Sequence, residues 1–139
     1  VIREFSAGGV CVRRMRGRDF VAAVRVKGGT VLALPKGHID AGETSAEAAA
    51  REVREEAGVT GELVEKLGDV RYWYRRDGQR VMKNVAFFLF RYRSGSVADH
   101  DHEVDSAEWV PLEDAPRLLA YRGERDMASA ALSALGSAR

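Results

Sequence analysis

A chain of 139 residues suits one compact domain and is too short to fill two cores. Hydrophobic residues at 45% and charged residues at 31% are ordinary for a soluble globular protein. A formal net charge of +1 argues against a general nucleic-acid binder, which usually carries a marked basic excess. Within that balance the acidic residues gather in Glu43–Glu56, while the basic ones spread along the chain.

The single cysteine, Cys11, cannot form an intrachain disulfide and sits in an apolar run, Gly9-Val10-Cys11-Val12, as a small core residue does. No apolar stretch of signal-peptide length opens the sequence. The longest apolar run, Val85–Phe90, is too short to span a bilayer, so a cytoplasmic location without membrane contact is expected.

Strand-like runs are predicted at Ile2–Met15, with a bend at Gly8-Gly9, and then at Phe20–Val26 and Val31–Leu34. The turn residues Arg16-Gly17-Arg18-Asp19 and Lys27-Gly28-Gly29 separate them. Thr44-Ser45-Ala46-Glu47 reads as a capping box that opens a helix, and Gly58 suits the left-handed position that ends it after Ala57. Two long strands follow, about Glu62–Tyr74 and Arg80–Tyr92, joined by the hairpin signal Asp77-Gly78. A polar loop, Arg93–Asp105, leads to a short strand ending at Trp109-Val110-Pro111. Leu112–Leu119 and Glu124–Leu135 carry apolar residues at helical spacing. These elements predict an α+β sandwich with a central mixed sheet, the capped helix on one side and a C-terminal helix elsewhere.

The capped helix carries the chemistry. With Glu52 as origin of a helical wheel, Glu55 falls near about −60° and Glu56 near about +40°, so three carboxylates share one arc. Ala46, Ala49, Ala50, Val53 and Ala57 form the neighbouring arc, expected to pack on the sheet. Like charges one turn apart destabilise a helix, and these lie toward its C-terminal end, where the dipole disfavours anions. The arrangement makes sense if hard cations neutralise it, because Mg²⁺ takes oxygen ligands and is commonly shared with phosphates.

The carboxylates belong to a longer pattern: Gly37, five residues, Glu43, seven residues, Arg51-Glu52-Val53, one residue, Glu55-Glu56-Ala57-Gly58-Val59. This resembles the Nudix box at every fixed position, a match expected by chance on the order of once in 10⁸. The resemblance implies a Nudix-type α/β/α fold over residues 1–139, with a catalytic loop-helix-loop at 37–59. It also implies hydrolysis of a diphosphate linkage in a nucleotide-like small molecule. Glu52, Glu55 and Glu56 would hold the metal, with the Gly37 carbonyl completing the site, and Glu43 would pair with Arg51 to orient the loop on the helix. The implied cofactor is Mg²⁺, with Mn²⁺ as a substitute. Glu52, Glu56 or a carboxylate from elsewhere would act as general base, Glu103 in the polar loop being the outside candidate.

The flanks narrow the branch. Leu34-Pro35-Lys36-Gly37-His38, Tyr72-Trp73-Tyr74, Lys83-Asn84-Val85 and Leu119-Ala120-Tyr121 are similar to bacterial diadenosine polyphosphate hydrolases and their MutT-like relatives. Lys36, His38 and Lys83 are then candidate phosphate contacts. Tyr72 and Tyr74, on one face of their strand, are candidate base-stacking partners, and either could be the one that stacks. The leading expectation is cleavage of a diadenosine polyphosphate to AMP and a nucleoside polyphosphate by a monomer or homodimer, with no nucleic-acid partner. The alternatives are a house-cleaning (d)NTP pyrophosphatase and a catalytically silent nucleotide sensor. Removal of diphosphate from RNA 5′ ends lacks an obvious basic run. His100-Asp101-His102 is poorly spaced for structural zinc.

Overall fold

The computed structural model describes residues 1–137. The last two residues of the expected domain, 138 and 139, lie outside the described residues. The elements are β1 (Ile2–Met15), β2 (Arg18–Val26), β3 (Val31–Ala33), β4 (Lys36–His38), α1 (Ser45–Ala57), β5 (Val59–Arg76), β6 (Gln79–Gly95), β7 (Ser106–Pro111), α2 (Ala115–Leu118) and α3 (Arg122–Ser137). Short 3₁₀ turns at Val97–Asp99 and Leu112–Asp114 flank β7.

Among the described residues the strands form one mixed sheet in the order β3-β2-β1-β6-β5, with β4 paired to β1 and β7 to β2. The β1–β6 pair is parallel, and the other pairs are antiparallel. Side chains alternate across the central strands, so each face carries its own core. On one face Val10, Val85, Phe87 and Leu89 pack with Ala128 and Ala131 of α3. On the other, Ala7, Cys11, Phe88 and Phe90 pack with Ala49, Val53 and Ala57 of α1. Removing each large apolar side chain from water contributes about 1.5–3 kcal/mol. The result is the expected helix–sheet–helix sandwich.

Local signals set the helix and hairpin ends. The Thr44 hydroxyl accepts from the Glu47 amide at 3.1 Å, and the Glu47 carboxylate accepts from the Thr44 amide at 2.9 Å. Gly58 adopts φ +76° and closes α1. At the β5–β6 turn both Asp77 (φ +52°) and Gly78 (φ +78°) have positive φ, as a two-residue hairpin turn requires.

The expected helix Leu112–Leu119 is a 3₁₀ turn followed by the short α2, β6 extends to Gly95 into the expected polar loop, and the structure departs from the sequence expectations in three further places. β1 continues as strand through Gly8 and Gly9, with its pairing to β6 unbroken. These glycines give close approach: a Cβ on Gly8 would stand 2.7 Å from the Phe87 ring and one on Gly9 would stand 2.5 Å from Val53. β4 appears in what read as a loop, because the three residues pair with Ser6–Gly8 of β1. The packed arc of α1 is also turned from its expected centre: Ala48, Ala49, Glu52, Val53 and Ala57 are buried, while Ala46 and Ala50 are half-buried. One of the three carboxylates therefore points inward, into space left by a glycine.

Candidate functional site

That glycine is Gly37. Its pairing with Ala7 turns it toward α1, and an ideal Cβ there would lie 1.9 Å from Glu52 Oε2. Its neighbours Lys36 and His38, paired with Gly8 and Ser6, fall by alternation on the α3 face. Three residues of β4 thus address both sides of the sheet.

Arg51 organises the acidic cluster. Its Nε and Nη2 donate to the two carboxylate oxygens of Glu43 at 2.7 and 3.0 Å, a bidentate pair. Its Nη1 donates to Glu52 at 2.9 Å and Glu55 at 3.2 Å, and Nη2 also reaches the His38 carbonyl at 2.9 Å. One guanidinium therefore ties the loop, β4 and α1 together. The hydrogen bonds from Arg51, followed by the Asp40 amide, hold the Glu43 carboxyl down at about 2.

The ligand candidates differ in surroundings. Glu55 is exposed. Glu52 is 6% exposed, and burial raises its pKa; Glu55 and Glu103 push the same way while Arg51 opposes. Glu56 accepts the Lys36 amide at 3.0 Å and is pushed up to about 7, mainly by burial, with Glu52 and Asp101 adding to the shift. Burial makes both carboxyls resist ionisation, Glu52 in spite of Arg51, and a cation would relieve that penalty. The donor set, hard carboxylate oxygens beside Gly37, suits a divalent ion of the Mg²⁺ type. Among the described residues no three acidic, histidine or cysteine side chains yet converge on a point. Arg51 holds Glu52 and Glu55, and Glu56 turns to the Lys36 amide.

The polar loop meets this cluster. The Asp101 amide donates to the Glu55 carbonyl at 2.8 Å, and the Asp101 carboxylate accepts from the Glu103 amide at 3.0 Å. The loop is thus pinned to the end of α1, with Glu103 exposed and its charge felt at Glu52. Asp101, close enough to raise the Glu56 pKa, was missed as a site acid because its role in sequence was only the middle of His100-Asp101-His102. His100 Nδ1 lies 2.8 Å from the Asp101 carbonyl oxygen.

On the α3 face a pocket of ≈ 750 Å³ opens between β5, β6 and the start of α3, lined by Lys36, Tyr72, Val85, Phe87, Tyr121 and Glu124 among others. The Lys36 ammonium lies 2.7 Å from Glu124 and 5.0 Å from the Tyr121 ring centre. Glu124 is 3% exposed and also accepts the Leu34 amide at 2.7 Å. Tyr72 is half-exposed at the pocket wall, and its partial burial raises its pKa. Lys83 is half-buried beside Tyr72 and Glu4 in the strand register. Tyr74 shares the face, but its hydroxyl donates to Glu4, which also receives Arg76 at 2.9 Å. His38 is exposed at the sheet edge. Glu124 escaped the sequence reading, since a lone Glu in a first helical turn looks like a dipole partner, and Tyr121 entered it only within Leu119-Ala120-Tyr121, without a role.

Two helices packed on a mixed sheet, with a capped acidic helix facing a glycine in the adjoining β4 segment, define one class of protein. Residues 3–131 match the NUDIX domain, and the chain belongs to that family. Nudix hydrolases act on small-molecule nucleotides and generally use divalent metals. Among its relatives, the MutT4 protein of Mycobacterium tuberculosis is 40% identical over 94% of this chain and 55% of its own length. The asymmetrical bis(5′-nucleosyl)-tetraphosphatase of Caenorhabditis elegans is 32% identical over 63% of each chain. This chain therefore spans a little over half to under two-thirds of these relatives. A crystal structure of a C. elegans Ap4A hydrolase binary complex superposes with a TM-score of 0.71 at 24% identity, covering 98% of this chain and 99% of that one, a likeness of fold. No helix among the described residues is long and apolar enough to cross a membrane.

Proposed function

We propose that the chain, a single catalytic domain with its box at residues 37–59, hydrolyses a dinucleoside polyphosphate, with diadenosine tetraphosphate as the representative substrate, to AMP and ATP with Mg²⁺. The observation that carries this reading is the double engagement of Lys36. Its amide holds Glu56 in the acidic cluster, while its ammonium stands in the aromatic-walled pocket. A nucleoside in the pocket would thus have its phosphates led directly to the carboxylates.

In this reading Tyr72 and Tyr121 offer flat faces to a base. Lys36, Lys83 and His38 neutralise the phosphate chain. Glu52, Glu55 and Glu56, with the Gly37 carbonyl, would hold the cation, which supplies water activation and charge stabilisation at phosphorus. Arg51 and Glu43 keep β4 and α1 in register so that those oxygens stay together. Glu52, Glu56 and Glu103 are the carboxylates available to take the proton of the attacking water. A silent sensor is disfavoured because all three box carboxylates are present.

The similarity to an 8-oxo-(d)GTP phosphatase of Mycolicibacterium smegmatis, 38% identical over 66% of this chain and 27% of its own length, favours a second reading, a (d)NTP pyrophosphatase. A substrate panel with product identification separates the two. Diadenosine tetraphosphate should show a higher kcat/KM than ATP or 8-oxo-dGTP and yield AMP and ATP. Release of inorganic diphosphate from triphosphates, with dinucleotides untouched, would replace the first reading by the second.

A further inference from the structure

The hairpin of β5 and β6 carries a surface outside the acidic cluster, which meets the pocket only where Arg71 borders both. On the α1 face of the sheet, strand register aligns three successive rows. Phe5, Asn84 and Arg71 form one, Arg3, Met82 and Trp73 the next, and Arg75 stands opposite Arg80 in the last. Phe5 is 53% and Trp73 51% exposed, so the described chain leaves the outer members of these rows uncovered, while Met82 between them is buried. The Arg80 guanidinium lies 4.5 Å from the centre of the Trp73 ring.

The charges here are unbalanced. Arg3, Arg71, Arg75 and Arg80 are all exposed, and among the described residues none of them forms an ion pair with a carboxylate. At the same tip Arg76, on the opposite face, is matched by Glu4. Like charges directly opposite on paired strands destabilise a hairpin, so Arg75 facing Arg80 does not serve folding. Exposed aromatics interleaved with unpaired arginines match a partner that offers both regularly spaced negative charge and flat ring faces.

We propose that this face is a docking track for a single-stranded polynucleotide, with phosphates on the four arginines and bases stacked on Trp73 and Phe5. A duplex hides its base faces, and an acidic peptide has no series of rings to stack. The track also leads somewhere. The row after Phe5 contains Ala7, which pairs with Gly37 facing Glu52, and successive same-face residues lie about 6.6 Å apart. The inner end of the track therefore lies on the sheet face that carries Gly37 and Glu52, where Ala7 is buried. The four arginines are scattered from residue 3 to residue 80, so the surface exists only in the assembled sheet and leaves no basic run in the sequence.

The test is fluorescence anisotropy with a labelled single-stranded RNA of about twelve nucleotides, beside the same sequence as a duplex and inorganic polyphosphate as competitor. The single strand should bind more tightly than the duplex and resist polyphosphate. The Arg75→Ala/Arg80→Ala variant should weaken binding at least about tenfold and lower the slope of log K against log salt by about 1.4, two released counterion contacts. Trp73→Ala should weaken binding about five- to a hundredfold, and Trp73→Phe should restore most of it. The Trp73 variants should keep their melting temperature, the arginine variant should keep or slightly raise it, and all should hydrolyse diadenosine tetraphosphate as the parent does. Equal affinity for duplex, full displacement by polyphosphate, or unchanged binding by the variants overturns the track. Strand binding without dinucleotide hydrolysis leaves the track standing and removes only the substrate reading.

Discussion

Glu52 occupies the space that a side chain at residue 37 would need, since a Cβ on Gly37 would lie 1.9 Å from its Oε2. The glycine there serves the neighbouring carboxylate as well as its own backbone. Gly37→Ala should push Glu52 out of the cluster and lower kcat at least about tenfold. It should cost about 1–3 kcal/mol, the usual range for overpacking. Turnover at saturating Mg²⁺ and a thermal melt check both, and parental kcat would show that Glu52 need not sit there.

Glu43 and Glu56 should give the metal-free protein opposite pH responses. The Glu56 pKa is raised from 4.5 to about 7, so its neutral form is favoured by folding. Its contribution is complete below the unfolded value and is lost as pH rises through about 7. The Glu43 pKa is lowered to about 2, so its contribution is present above the unfolded value and disappears as pH falls toward 2. Melts in chelator from pH 2 to about 8 should lose their high-pH decline in Glu56→Gln and part of their low-pH decline in Glu43→Gln. Glu56→Gln should also abolish most turnover. Identical pH profiles in parent and variants would contradict both assignments.

Glu124 joins the pocket to the β3–β4 segment through Lys36 and Leu34. Glu124→Gln keeps an oxygen for the Leu34 amide and loses the charge that holds Lys36, so it should cost about 1–2 kcal/mol and raise KM for a nucleotide more than it lowers kcat. Glu124→Ala leaves the amide without its acceptor and should cost about 1–3 kcal/mol more. Chemical denaturation and steady-state kinetics separate the two effects. Equal stability of the Gln and Ala variants would show that the Leu34 bond contributes nothing.

Tyr72 and Tyr74, equivalent by strand alternation, should behave differently. Tyr72 lines the pocket, whereas the Tyr74 hydroxyl is committed to Glu4. Tyr72→Ala should raise KM for diadenosine tetraphosphate about five- to a hundredfold, the worth of one stacked base. Tyr74→Phe should leave KM alone and lower the melting temperature slightly through loss of the bond to Glu4. The reverse pattern would transfer the stacking role to Tyr74.

The reach of the sequence is set by distance along the chain. α1, its capping box, its glycine stop and its carboxylate spacing all lie within residues 37–59, where helical periodicity converts spacing into geometry. The Asp77-Gly78 hairpin is equally local, because its turn needs two residues of positive φ. Strand alternation likewise places Tyr72 and Tyr74 on one face from their spacing alone.

Tertiary structure decided which of these residues meet. Pairing β4 with β1 turns Gly37 toward Glu52 and sends Lys36 to the other face, and three residues with no strand signature do not announce such a register. The Lys36–Glu124 contact joins distant parts of the sequence and depends on where α3 docks. Asp101 reaches the end of α1 through a backbone hydrogen bond, which any residue type could make, so no side-chain pattern could reveal it. The arginine and aromatic rows come from three strands brought side by side. Spacing within one element is read directly from the chain, whereas juxtaposition between elements depends on register and docking, which the packing of both sheet faces selects.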